Sequence, residues 1–184
     1  DSVLFHRVIN NFMIQAGERG RNINVPDTVL VEGGLNYLVP AEFNPNLFHK
    51  RGALGAARGG NPERASSSMQ FYIVQNNMLN DSLIDKGETR INNWLANHYS
   101  YKDPANKDLI AALETSKKEK DTLNIKILSD SLTSVAKNYT NFEHYKIPEN
   151  HREIYKKNGG TPHLDQNYTV FGELITGFNV LDSI

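Results

Sequence analysis

The chain has 184 residues, in which 20 Lys and Arg stand against 21 Asp and Glu for a formal net charge of -1. That length suits one ordinary domain with a real core, and the even charge argues against nucleic acid as a partner, which needs a basic excess or patch. No stretch approaches the roughly 20 apolar residues of a membrane helix, and the lack of Cys removes disulfides, thiol nucleophiles and thiolate metal sites together.

Asp1-Ser2 leads at once into a strand-like run, so no signal peptide is expected at this start, and with no initial Met the natural N-terminus is expected to be absent from this sequence. Residues 3–9 read as a strand, Asn10-Asn11 as a turn, and Phe12 to Gln15 as the returning strand. Gly17 and Gly20 open a polar loop, and residues 35–40 read as loop or short strand. Ala53-Leu54-Gly55-Ala56-Ala57 is a strand of small residues, which lets something pack closely on it. Gly59 to Pro62 and Ser66 to Ser68 read as loop, and Gln70 to Val74 as a strong strand.

The style changes at about residue 76. Residues 76–158 have almost no Gly, carry most of the charge with both signs balanced, and follow helical periodicity. One helix is expected to carry Ile91, Trp94 and Leu95. Asp103-Pro104 caps another, with Leu109, Ile110 and Leu113 behind it. Leu128, Leu132, Val135, Tyr139 and Phe142 form one helical face, which is expected to be buried. Pro148 starts a short helix that Gly159-Gly160 stops. Thr169 to Leu174 reads as a strand and Gly177 opens a last helix. The pattern predicts a mainly β fold, residues 1–75 and 159–184, interrupted by a compact inserted helical subdomain at 76–158.

Chemistry-bearing motifs are few. The six His (His6, His49, His98, His144, His151 and His163) show no helical i, i+4 pair, so surface or structural roles are expected and no metal site. Gly52-Ala53-Leu54-Gly55 lacks a Gly-Lys-Ser/Thr continuation, and Ser66 to Ser68 lacks a nucleophile elbow. The unusual feature is Arg7, placed in a strand among Phe5, Val8 and Ile9, with Phe12, Met13 and Gln15 on the next strand and Gln70 and Phe71 on a third. Two readings are open for it. A strand-edge Arg lies in water with its stem over apolar surface; alternatively, a cationic fork beside an aromatic pocket binds a carbonyl next to an apolar ring.

Phe5-His6-Arg7-Val8-Ile9-Asn10-Asn11-Phe12-Met13-Ile14-Gln15-Ala16-Gly17 closely resembles the active-site hairpin of the cyclophilins, the peptidyl-prolyl cis-trans isomerases. Gly52 to Arg58 and Ser67 to Ile73 resemble the next two strands of that family, and Thr161 to Glu173 its closing signature. The Gly-Gly-Thr-Pro-His-Leu-Asp form and an insertion at this place are similar to Bacteroides-like bacterial members. The resemblance implies a β-barrel with a peptide groove on its outer surface, whose first strands and first helix would precede Asp1 and whose last strand would follow Ile184.

By position, the resemblance makes Arg7 the catalytic arginine, with Gln15 orienting it and Phe12 beside it. Met13, Phe71 and Leu164 join Phe12 around the proline ring, with Tyr72 at the floor or edge. Gln70 and the backbone at Arg58 line the groove for the flanking peptide; Tyr168 replaces a frequent groove histidine. His163 replaces the Trp of cyclosporin-sensitive members, which implies weak drug binding. No cofactor is implied. The expected partners are proline-containing peptides and unfolded proteins, with a further protein partner at the helical insertion. The bacterial likeness points to the periplasm or envelope, with the cytoplasm as the alternative. An active isomerase that assists protein folding is the first functional reading. A non-catalytic proline-peptide-binding or chaperone module, using the insertion as its partner surface, is the second.

Overall fold

The computed structural model describes residues 4–17 and 37–184. Val3, the loop position Gly20 and the start of the 35–40 segment therefore lie outside the described residues. The strands are β1 (Arg7–Ile9), β2 (Met13–Ala16), β3 (Leu38–Val39), β4 (Ala53–Ala56), β5 (Ser66–Ser67), β6 (Phe71–Val74) and β7 (Val170–Glu173). The helices are α1 (Asp81–Lys102), α2 (Lys107–Glu119), α3 (Thr122–Lys137), α4 (Glu149–Asn158) and α5 (Phe178–Ser183). No helix among the described residues is long and apolar enough to cross a membrane.

Five strands form one antiparallel sheet in the order β1-β2-β6-β4-β7, and β3 pairs with β5 in a separate two-stranded sheet. The β1–β2 hairpin forms where Asn10-Asn11 predicts it. Asn11 takes the left-handed conformation at φ 55°, which Asn tolerates better than most residues, and the Phe12 N–H donates to the Ile9 carbonyl at 3.1 Å. The register then sets everything downstream. Arg7 lies opposite Gln15, Gln15 opposite Tyr72, and Tyr72 opposite Gly55, one row across four strands. Residues in one row share a face of the sheet.

Three expectations are corrected. The fold is not mainly β: among the described residues α1 alone has 22 residues while no strand exceeds 4. Short strands suffice for the sheet, whereas the polar, Gly-poor middle segment can bury its apolar positions only by coiling into helices. The sheet is open among the described residues, with β1 and β7 at its edges, rather than a closed barrel. Ser66-Ser67 is a short strand rather than loop, because its backbone pairs with Leu38-Val39.

The chain divides into two compact units, one formed by the described residues up to Glu88 together with Ile147–Ile184, the other by Thr89–Lys146. The helical unit is thus shorter than the 76–158 segment. Residues 76–88 and all of α4 belong with the sheet. Within the helical unit Asp103 caps the turn at Pro104–Asn106, accepting from the Ala105 N–H at 2.9 Å and from the Tyr139 hydroxyl at 2.8 Å. These two bonds, the backbone one first, hold its carboxyl below the usual range. The stripe expected from Leu128 to Phe142 is broken. α3 stops at Lys137, Asn138 follows as its C-cap, and Tyr139 and Phe142 lie beyond the helix, their rings stacked at 6.4 Å. The stripe is also only half-buried. Three helical segments leave a narrow core, filled by Ile91, Leu95, Ala96, Leu113 and Ala136.

Candidate functional site

Arg7, Gln15 and Tyr72 of this row line a small cavity of about 100 Å³ in the sheet unit, and Gly55 completes the row on β4. Arg7 Nη1 donates to Gln15 Oε1 at 3.2 Å. Gln15 Nε2 donates in turn to Gln70 Oε1 at 2.8 Å. The amide of Gln15 is therefore fixed in one orientation, with its oxygen kept for the guanidinium, and Gln70 acts on the cavity through Gln15 rather than by lining it. The pairing is made by antiparallel register alone, across the three-residue turn between the strands.

Phe12, Met13 and Leu164 supply the apolar wall. Met13 and Leu164 are buried, and Phe12 is half-buried with the His163 ring stacked on it at 5.6 Å. His163 is thus joined to the site through Phe12 and does not itself line the cavity. On the other side Arg58 lines it with its side chain as well as its backbone neighbourhood. Arg58 Nε donates to the Asn167 carbonyl at 2.9 Å, Nη2 to Asn167 Oδ1 at 2.5 Å, and the guanidinium lies 5.0 Å from the centre of the Tyr168 ring. Tyr168 meets Tyr72 edge-on at 5.9 Å.

Tyr72 lies at the cavity as expected, whereas Phe71, expected to wall the proline pocket, does not line it. Phe71, one residue away and opposite Ala16 and Ala56, points to the other face of the sheet, where it and Gln70 line a separate cavity of about 250 Å³. Tyr72 reaches its place because Gly55 faces it. A Cβ at Gly55 would fall 2.2 Å from Tyr72 Cζ, so the strand of small residues serves this ring.

Beneath the cavity Tyr72, expected at its floor or edge, is joined to three residues to which the sequence reading gave no site role, His49, Asp165 and Tyr155. The Tyr72 hydroxyl meets His49 Nε2 at 2.7 Å, and His49 Nδ1 meets Asp165 Oδ1 at 2.7 Å. Asp165 Oδ1 also accepts from the His49 backbone N–H, and Asp165 Oδ2 accepts from the Tyr155 hydroxyl at 2.6 Å. His49, Asp165, Tyr72 and Tyr155 are all buried. Burial first, then the neighbouring Tyr168 and Asp165, push the Tyr72 phenol well above its ordinary value, against the opposing charge of Arg58; it stays protonated and able to donate. These residues are far apart in sequence, and His49 carried no spacing signal. The one sequence cue was Gly160, where a Cβ would fall 2.4 Å from the His49 carbonyl and 2.6 Å from the Tyr155 ring.

The model of the family "Cyclophilin type peptidyl-prolyl cis-trans isomerase/CLD" matches residues 1–101. The chain is 28% identical over 186 residues to a putative peptidyl-prolyl cis-trans isomerase of Staphylococcus saprophyticus, covering all of this chain and 61% of that protein. It is 28% identical over 189 residues to a putative bifunctional phosphatase/peptidyl-prolyl cis-trans isomerase of Streptococcus pyogenes, covering all of this chain and 26% of that protein. A peptidyl-prolyl cis-trans isomerase of Acinetobacter baylyi is 36% identical over 87 residues, 47% of this chain and 43% of its own length. The chain thus spans about three fifths or less of the length of these curated relatives. They come from Streptococcus, Staphylococcus and Acinetobacter, and give the Bacteroides-like branch no support.

Proposed function

We propose, from the premise that the chain belongs to the cyclophilin-type peptidyl-prolyl cis-trans isomerase family, that the Arg7 cavity receives the proline of a peptide and speeds rotation about the bond before it. The observation that carries this reading is the combination of one amide-oriented guanidinium with an apolar wall in a single small cavity. Rotation of an amide has a barrier of about 18–20 kcal/mol, because resonance between nitrogen and carbonyl must be broken. No proton need leave and no covalent bond need form, so a site that favours the twisted amide over the planar one is sufficient. Phe12, Met13 and Leu164 hold the ring. Arg7, fixed by Gln15, presents N–H donors to the prolyl nitrogen, whose lone pair becomes available as the amide twists. The contribution is positioning plus fixed charge.

Exchange spectroscopy on a short Ala-Pro peptide tests the reading. Cis-trans exchange accelerated by substoichiometric protein supports it, and an unchanged exchange rate overturns it. Gln15→Leu removes the acceptor that aims Arg7 while keeping much of the side-chain volume. It is expected to lower kcat about tenfold with the cavity wall intact, in keeping with the sensitivity of catalysis to small misplacements; kinetics and a melting curve on the same sample check it.

A second reading concerns Thr89–Lys146 as a partner surface. It is supported by Leu123 and Ile127, one turn apart on α3 and exposed. The Ile147 N–H donates to Glu88 Oε2 at 2.8 Å, so the two cut points lie side by side and a short linker can join them. A chain with 89–146 replaced by such a linker is expected to keep full rate on the Ala-Pro peptide and to lose rate on a refolding protein substrate. Equal rates on both substrates, relative to the full chain, would remove the partner role.

A further inference from the structure

We infer that Tyr155, Asp165 and His49 form a positioning relay that holds the Tyr72 floor of the cavity at the depth a prolyl ring needs. The inference rests on the prolyl-isomerase reading above and extends it to residues that do not touch substrate.

The direction of each bond follows from its chemistry. An ionised carboxylate can only accept, so Asp165 takes the Tyr155 hydroxyl proton on Oδ2 and the His49 Nδ1 proton on Oδ1, at 2.6 and 2.7 Å. In the relay inferred here the His49 ring carries its hydrogen on Nδ1, so that Nε2 accepts from the Tyr72 hydroxyl at 2.7 Å. The relay thus runs Tyr155 to Asp165, His49 to Asp165, and Tyr72 to His49. Every member is at most 4% exposed, so water cannot replace a lost partner cheaply. The last member is also a lining residue of the cavity.

The surroundings leave the relay little slack. The His49 and Tyr72 rings are stacked at 13°. The His49 carbonyl accepts from the Thr161 N–H at 2.8 Å, and Gly160 leaves room for the Tyr155 ring where any Cβ would strike it. Tyr155 is carried by α4, and its ring meets Phe48 edge-on at 5.4 Å. The helix that follows the helical unit in the chain therefore reaches the cavity floor through one carboxylate. A hydroxyl on that floor needs such an anchor. A phenylalanine ring would be held by packing alone, whereas a tyrosine hydroxyl left unpaired would be driven toward the cavity mouth to find a partner.

The test is a double-mutant cycle in the full chain, read as kcat and KM for the Ala-Pro peptide. Tyr155→Phe removes one hydroxyl remote from substrate. KM is expected to rise by about 3- to 10-fold, the equivalent of one hydrogen bond, with kcat within about twofold. Tyr72→Phe removes the group that the relay serves, so adding Tyr155→Phe to it should raise KM no further. A merely structural network would lower the melting temperature in both variants and leave KM unmoved, and that result overturns the inference, as does full additivity in KM. If Tyr155→Phe does not fold, a wild-type spectrum with 15N-labelled His decides: His49 with hydrogen on Nδ1 alone upholds the relay, and any form with hydrogen on Nε2 overturns it. Wild-type protein without isomerase activity overturns the reading on which the relay rests; active protein with an unmoved KM in Tyr155→Phe overturns the relay alone.

Discussion

Arg7→Ala is expected to lower kcat/KM on an Ala-Pro peptide by roughly 100-fold, the loss typical of removing one donor aimed at a transition state, while the circular dichroism spectrum stays unchanged. Arg7 is exposed, on an edge strand, and among the described residues its side chain bonds the neutral amide of Gln15. Its removal leaves no buried charge without a partner and opens no cavity in the core, so stability should change by less than about 1 kcal/mol. Arg7→Lys is the sharper variant. It keeps the charge but replaces a planar fork with a point charge that Gln15 Oε1 cannot aim in the same way, and it should recover only a small part of the rate. Near-normal turnover in Arg7→Ala would remove Arg7 from the mechanism and leave the cavity as a binding site only. Turnover, spectrum and melting temperature measured on one preparation separate these outcomes.

Much of the sheet could be read from local chemistry. Asn10-Asn11 marks the hairpin because Asn accepts the left-handed φ that Asn11 adopts. Gly and Ala in 53–57 mark a strand against which something packs, and that something is Tyr72. The face of Phe71 against Tyr72 was not legible in the same way. Two adjacent aromatics in a strand must point to opposite sides, and only the pairing of Gln15 with Tyr72 decides which of them joins Arg7. The relay under the cavity was the least accessible feature. His49 and Asp165 lie 116 residues apart, and Asp165 and Tyr155 belong to different elements. No local periodicity encodes a bond between elements brought together only by the tertiary fold. The helical segment failed in a different manner. Its apolar spacing continues through Phe142, but the helix stops at Lys137, and Tyr139, beyond its end, bonds Asp103.

The second large effect belongs to Gly55. Gly55→Ala would be a mild change in most strands, because Ala tolerates extended backbone and costs little side-chain entropy. Here the added Cβ falls 2.2 Å from Tyr72 Cζ and 2.4 Å from its Oη, far inside van der Waals contact. The ring cannot simply swing aside. Its hydroxyl is bonded to His49, and Tyr168 stands edge-on against it. Either β4 moves away from β6, breaking the pairing of Gly55 with Tyr72, or the ring tips into the cavity and the His49 bond is lost. Overpacking of this kind costs about 1–3 kcal/mol, and on the second route the cavity closes as well. We expect Gly55→Ala to lower the melting temperature by several degrees and isomerase activity by at least tenfold, more than the loss of stability alone would produce. Tyr72→Phe in the same chain supplies the control. It frees the ring from His49, so the double variant should regain part of the activity that Gly55→Ala loses. If Gly55→Ala instead melts like the wild type and turns over at full rate, the close fit of Tyr72 on β4 does not shape the site, and the floor of the cavity must be held by other residues.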